Sequence, residues 1–191
     1  MVDLALFPLN TVLLPGGLLP LRIFEARYVD MVGRCMRAND VFGVVLVLGG
    51  SDTDREVNTA SIGTSARIVD FQTLEDGLLG LLCRGERRFR ILRRDRLDDG
   101  LNCAAVEWLP EVQRIAVAEE FQPLVPLLRA ALAQLTTIGR FIEPDYDDAS
   151  WVGHRLAELL PLDQSQQQRL LEIDDPNTRL GMLAPLIEVR Q

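Results

Sequence analysis

Up to Trp108 the apolar residues come in short runs, and several of these runs alternate with polar positions. Leu4–Phe7, Val12–Leu14, Leu18–Leu21, Val41–Leu48, Thr64–Phe71, Leu78–Cys83, Arg87–Arg93 and Asn102–Trp108 each read as a strand. Successive side chains of a strand point to opposite faces, so a period of two marks one buried face. Glycine and proline separate the runs, at Pro15-Gly16-Gly17, Gly49-Gly50, Gly63, Asp76-Gly77 and Asp99-Gly100. Many short strands at this spacing predict a barrel or sandwich, which closes to hide its edges. Pro8, Pro15 and Pro20 imply bends and edge positions, because proline gives a ladder no donor.

One helix interrupts this region. Between Glu25 and Ala38, the positions Tyr28, Met31, Val32, Cys35 and Met36 recur at i, i+3, i+4, i+7 and i+8, which is a helical stripe. Asp30, Arg34 and Arg37 fall outside it, and Asn39-Asp40 ends it. Beyond Pro110 the period changes. Ile115–Leu135 predicts helix, kinked or divided by Pro123 and Pro126. Glu143–Asp148 is an acidic loop, and Ser150 is the expected cap for a helix over Trp151–Leu160. Asp163 caps a helix over Gln164–Ile173, and Asp175-Pro176 opens a last one over Pro176–Val189. The chain therefore reads as α+β. Residues 1–112 form a β-barrel with one inserted helix, and residues 113–191 form a helical bundle subdomain expected to dock on it.

Charge and composition narrow the chemistry. Acidic residues outnumber basic ones 28 to 20, for a net charge of -8, so nucleic acid is disfavoured as a partner. Every basic position is arginine. Without lysine there can be no P-loop, no Schiff base and no Ser-Lys dyad, since arginine stays charged. The single histidine, His154, rules out a two-histidine metal site within one chain. Cys35, Cys83 and Cys103 stand among apolar neighbours, as buried reduced thiols of a cytoplasmic protein would. The N-terminus lacks the basic start of a secretory signal, and no run of 18 apolar residues occurs, so no membrane segment is expected.

The stretch Phe7–Tyr28, with Pro15-Gly16-Gly17 followed by Leu21-Arg22-Ile23-Phe24-Glu25, resembles the opening of the Lon protease N-terminal domain family. Phe42–Val47, Gly63–Ile68 and Gly85–Ile91 continue the resemblance in order, as do Ala157–Leu162, Leu170–Ile173 and Arg179-Leu180. Leu14 replaces a common phenylalanine and Ala26 a common proline, both mild departures. The resemblance implies a PUA-like β-pseudobarrel followed by helices, in a domain that recognises protein substrates or partners. The ATPase and peptidase modules of Lon proteases have no counterpart in this sequence, so their proteolysis does not carry over.

The remaining candidates are weighed on chemistry. Leu13, Leu14, Leu18 and Leu19 flank the Pro15-Gly16-Gly17 turn. Leu13, Leu14 and Leu18 with Phe24 form the candidate client-binding lip if they reach solvent; otherwise they are core. Arg84, Arg88 and Arg90 belong to an arginine-rich stretch ending at Arg96, in which Phe89 and Ile91 alternate with Arg88 and Arg90. That predicts one apolar and one cationic strand face. The cationic face is solvated, is paired with the protein's own acidic helical region or, as an alternative function, is an RNA-binding surface, though no tryptophan or tyrosine interleaves it for stacking. His154 has no G-x-S-x-G nucleophile near it in sequence. Asp52–Glu56 lacks the glycine and terminal glutamate of a calcium loop. Asp98-Asp99, Asp147-Asp148 and Asp174-Asp175 fit turns and helix caps. No catalytic residue, metal or cofactor is expected. The expected function is non-catalytic recognition of exposed apolar or unfolded polypeptide, with an adaptor role towards a separate protease complex among its forms.

Overall fold

The computed structural model describes residues 2–49, 58–135 and 139–188. The chain divides into two compact units, Met1–Pro110 and Glu111–Gln191. The Asp52–Glu56 segment lies outside the described residues.

In the first unit, β1 (Val2–Leu9), β2 (Leu18–Ile23), helix α1 (Ala26–Ala38), β3 (Phe42–Gly49), the short β4 (Asn58–Thr59), β5 (Ile62–Thr73), β6 (Leu79–Arg96) and β7 (Asn102–Trp108) follow in order. Antiparallel pairing runs β1-β7-β6-β5-β3, and a parallel pairing of β1 with β3 closes the ring, Leu6 facing Gly43 and Leu9 facing Leu46. A parallel pair cannot be joined by a tight turn and needs a long crossover. Here β2 and α1 supply it. The inserted helix is thus a consequence of closing the barrel.

Both faces of β1 and β3 are consequently covered. Leu4, Leu6 and Val45 join Phe89, Ile91, Ala104 and Val106 in one cluster, to which the strands of the ring converge. Phe7, Phe42 and Val44 point the other way, against Tyr28, Met31, Val32 and Cys35 of α1. Phe7 stacks on Tyr28 with ring centroids 3.9 Å apart. The first cluster is filled by the Phe89 ring, which takes up the space where side chains are missing at Gly43 and Gly63. A Cβ at Gly43 would lie 2.7 Å from Phe89 Cζ, and one at Gly63 would lie 2.4 Å from the Val44 carbonyl oxygen.

Two expected strands, Leu78–Cys83 and Arg87–Arg93, are one. β6 runs through Gly85 without turning, because its first half pairs with β2 and its second half with β7 on the same edge. Val12–Leu14 is not a strand but a buried connector.

The second unit holds α2 (Leu124–Leu132), α3 (Ala149–Leu159), α4 (Gln164–Glu172) and α5 (Pro176–Glu188). The long helix expected over Ile115–Leu135 shrinks to α2 and a single 3-10 turn, Glu119–Phe121. Ala116 is instead held in a β-bridge to Asp148, and Pro123 and Pro126 suit only the first turn of a helix. Asp148, not Ser150, caps α3, accepting from the Ser150 and Trp151 N–H groups. Asp163 and Gln166 form the reciprocal capping box at α4. The end of α4 is capped from α5: the buried Arg179 donates to the carbonyls of Leu170, at 3.1 Å, and Ile173.

The glycine arrangement makes a graded prediction. A methyl group at Gly43 meets only side-chain ends and should cost about 1–3 kcal/mol, the usual range for overpacking. At Gly63 it meets a backbone oxygen that cannot move aside. Gly63→Ala should therefore lower the urea midpoint more than Gly43→Ala does. Equal midpoints for the two variants would show that the ring has slack around Phe89.

Candidate functional site

The Pro15-Gly16-Gly17 turn is clamped to the middle of β6. Gly16 N–H donates to the Gly85 carbonyl at 2.7 Å, and Gly85 N–H donates to the Gly17 carbonyl at 2.9 Å. Gly16 adopts φ 73, the left-handed region where glycine carries no steric penalty. A Cβ on Gly85 would lie 2.3 Å from the Leu14 carbonyl oxygen, so the connector passes directly over the strand. This changes the expected leucine lip. Leu13 and Leu14 are 4% and 1% exposed and belong to the core, because the clamp pulls them onto β6. Leu18 is half-buried, and Phe24 is 71% exposed. Of the four residues, only Phe24 is fully open to solvent.

The arginines of β6 do not form one face. Arg88 is buried, contrary to the simple alternation with Phe89, and Arg90 is exposed. Arg88 faces Thr64, which faces Val44, so it sits on the outer side of the ring that other residues already cover. Arg87 lies over the Trp108 ring, Arg93 pairs with Asp95 at 2.8 Å, and Arg94 donates to the Thr59 carbonyl at 2.9 Å. A register shift between Ile91 and Arg93 further breaks the alternation. Arg84 is half-buried. Of Arg84, Arg88 and Arg90, Arg90 alone is exposed.

Arg22, Glu25 and Arg27 tie β2 and the start of α1 to neighbouring turns. Arg27 is buried, pairs with Glu25 at 2.7 Å and donates to the Gly100 carbonyl at 2.7 Å, so it pins the start of α1 to the β6–β7 turn. Arg22 pairs with Asp76 in the β5–β6 turn.

The groups with nucleophilic potential are quiet. Burial pushes the Cys83 thiol up to about 12, and the nearby Cys35 adds to this. Burial likewise raises Cys35 and Cys103, so no thiol is poised to ionise near neutral pH. His154 is buried within α3. Among the described residues no group of three or more His, Cys, Asp or Glu side chains could hold a metal ion. The acidic pairs serve turns and caps: Asp99 accepts from Leu101 N–H at 2.9 Å, and Asp175 accepts from the Thr178 hydroxyl at 2.6 Å.

An exposed apolar groove occurs where the sequence pattern did not place it. Met36, expected within the buried stripe of α1, is 41% exposed, because it lies at the edge of that stripe, turned outward while the adjacent Cys35 stays in the core. With the exposed Phe71 it flanks a groove of about 200 Å³, floored by Cys35 and Ile68 and edged by Asn39, Asp40, Arg67 and Asp70. Val29, also exposed, lies seven residues before Met36 on the same helix face. The groove borders an open strand edge. β3 pairs with β5 only over Thr64–Ala66, whereas β6 pairs with β5 along its other edge as far as Thr73. From Arg67 to Thr73 no strand among the described residues occupies the outer edge of β5. The sequence signal was slight: Val69-Asp70-Phe71 sets an acid among apolar residues near a strand end, and nothing in it says that the edge is bare.

Comparison with known proteins fits this architecture. The family model for the ATP-dependent protease La (LON) substrate-binding domain matches residues 3–189. The chain belongs to the Lon substrate-binding domain family. It is 31% identical over 190 residues to the Lon protease of Paraburkholderia phytofirmans, covering 95% of this chain and 23% of that protein. It is 23% identical over 187 residues to the Lon protease of Cytophaga hutchinsonii, again covering 23% of it. The chain thus spans about a quarter of the length of the Lon proteases it matches. The crystal structure of a Lon N-terminal domain protein from Xanthomonas campestris superposes with TM-score 0.81 and 40% identity, over 97% of this chain and 98% of that one. The N-terminal domain of the Mycobacterium avium complex Lon protease shares the fold, at TM-score 0.63 and 20% identity over 95% of this chain and 96% of that one. Only the substrate-binding part of Lon is matched by the family model.

The caps of this Lon-type domain carry a pH signature. Asp163 is held below the ordinary 3.8 first by the Ser165 hydroxyl and then by the Gln166 N–H, and Asp175 by the Thr178 hydroxyl and N–H. A carboxylate with a lowered folded pKa stabilises above its unfolded value, and that stabilisation is lost as pH falls through the folded pKa. Melting temperature should therefore drop on acidification below about pH 4. The Asp163→Asn/Asp175→Asn double variant keeps capping side chains but cannot titrate there, so its decline should be shallower. Parallel melting curves down to pH 2 would count against the two caps as acid-sensitive groups.

Proposed function

We propose that this chain is a non-catalytic recognition module for exposed apolar or unfolded polypeptide, acting as an adaptor that presents such segments to a separate protease. The family match over residues 3–189 carries the reading, because the matched region is the one named for substrate binding. The chemistry of the chain supports it. The sequence has no lysine for an ATPase P-loop or a Ser-Lys peptidase, and burial raises all three thiols. What the first unit offers instead is exposed apolar surface: Phe24, Val29, Met36 and Phe71. A recogniser of many unfolded chains gains little from fixed polar pairing, since each client offers different donors. Apolar contact is tolerant of sequence, and a disordered client that loses freedom on docking binds weakly. Three free cysteines suit a reducing compartment such as the cytoplasm. Phe24, at the opposite end of β2 from Leu18, is the proposed first contact.

The test uses the purified chain and reduced, carboxymethylated α-lactalbumin, a permanently unfolded protein. Binding should be micromolar or weaker and should vary little with salt. Phe24→Asp should weaken it roughly fivefold or more, as for one interface anchor worth about 1 kcal/mol. Casein and ATP incubated with the chain should both remain intact. The reading fails if native and unfolded α-lactalbumin bind equally, or if a turnover persists that a mutation in this chain removes.

A further inference from the structure

The outer face of α1 repeats every seven residues. Ala26 and Gly33 lie along its middle, Val29 and Met36 along one flank, and Asp30 and Arg37 along the other. Seven residues make about two helical turns, so each pair stays on one line. Gly33 is half-buried and the other five are exposed, while Tyr28, Met31, Val32 and Cys35 hold the opposite face in the core. We propose that this face docks on the same face of a second copy of the chain, as an antiparallel helix pair about a two-fold axis beside Gly33. The inference is independent of the recognition function proposed above.

Three observations carry it. The first is charge. Asp30 stands three residues before Gly33 and Arg37 four after it, on the same flank. An antiparallel two-fold brings each end of one helix level with the opposite end of its mate and keeps like flanks together. Asp30 of one copy then stands beside Arg37 of the other, level to within about 1.5 Å along the axis, and the contact occurs twice. Val29 meets Met36 in the same way on the apolar flank. Parallel pairing would instead set Asp30 against Asp30 and Arg37 against Arg37. Among the described residues neither Asp30 nor Arg37 is engaged in an ion pair.

The second observation is Gly33 itself. Glycine within a helix is destabilising relative to alanine. A Cβ at Gly33 would come closest to the Arg37 guanidinium, at 3.3 Å, so the packing of the first unit does not call for glycine there. A bare backbone at the crossing point lets a second helix approach closely. The flexible Arg37 side chain can swing off Gly33 towards the Asp30 of the second copy. The third observation is apolar surface. Val29 is 44% exposed and Met36 41%, and Phe71 continues this flank across the groove beside Met36. A contact made mainly by one helix of 13 residues is small, so the dimer is weak and forms only as concentration rises. The net charge of -8 on each copy opposes it at long range, and salt screens that repulsion.

Sedimentation equilibrium on the full chain at physiological ionic strength tests this. The average mass should climb from one chain towards two as concentration increases. Asp30→Arg alone, or Arg37→Asp alone, sets like charges together at both contacts and should weaken dimerisation by roughly tenfold. The Asp30→Arg/Arg37→Asp double variant sets opposite charges together again and should recover the dimer. Val29→Ser should weaken it without touching a charge. All these positions are exposed, and circular dichroism checks that each variant is folded. A chain that stays monomeric up to millimolar concentration would overturn the proposal. So would single reversals without effect, or a double variant no better than either single one. A monomeric chain whose binding to unfolded α-lactalbumin is weakened by Met36→Ser would assign the face to the client instead.

Discussion

The first unit depends on one packing constraint, the Phe89 ring held between the bare backbones of Gly43 and Gly63. A five-stranded ring is narrow, and its interior has to be filled without voids. One large ring opposite two glycines does this. The glycines in turn let β3 and β5 approach β6 closely enough for the ring to close through the parallel β1–β3 pair. That closure calls for a crossover, the crossover contains α1, and α1 supplies the second layer of core.

Closure also decides which backbone edges stay open. Within the ring each strand has a neighbour on both sides, so no backbone edge is left over. Among the described residues, edges survive at the short β4 and where strands outrun the ring, in the arm made by β2, the first half of β6 and the second half of β5. Met36 sits on the outward edge of α1 and emerges beside Phe71, while the adjacent Cys35 stays in the core. Gly85 marks the place where arm and ring meet. It is clamped by the Gly16-Gly17 turn on one edge and leaves room for the Leu14 carbonyl above it.

Arginine does the work of the missing lysine in several structural settings. Arg179 caps α4 from within a buried site, Arg27 pins the start of α1, and Arg94 holds the backbone at Thr59. A planar guanidinium can satisfy several carbonyls at once, which an ammonium on a flexible stem does less well. Within the arginine-rich run of β6, Arg94 acts in this way, Arg93 pairs with Asp95 and Arg87 lies over the Trp108 ring.

Local sequence determined the features that depend on neighbouring residues. The period of α1, the short strands, the capping box at Asp163 and the ordered motifs shared with the Lon N-terminal domain family are all legible in it. These signals involve residues within a turn or two of each other, so the chain need not be folded for them to be read. Tertiary structure alone decided the rest. Alternation in β6 separates Arg88 from Phe89 but cannot tell that both faces are covered, since the outer cover comes from segments distant in sequence. A glycine at position 85 suggests a turn, and only pairing with β2 and β7 makes it mid-strand. Leu13 and Leu14 read equally as lip or core until the clamp to Gly85 pulls them inward. Met36 belongs to the apolar stripe of α1, yet it sits at the stripe's edge, and nothing packed from elsewhere in the chain covers it fully. Burial is set by what arrives from elsewhere in the chain, and a local pattern carries no record of that.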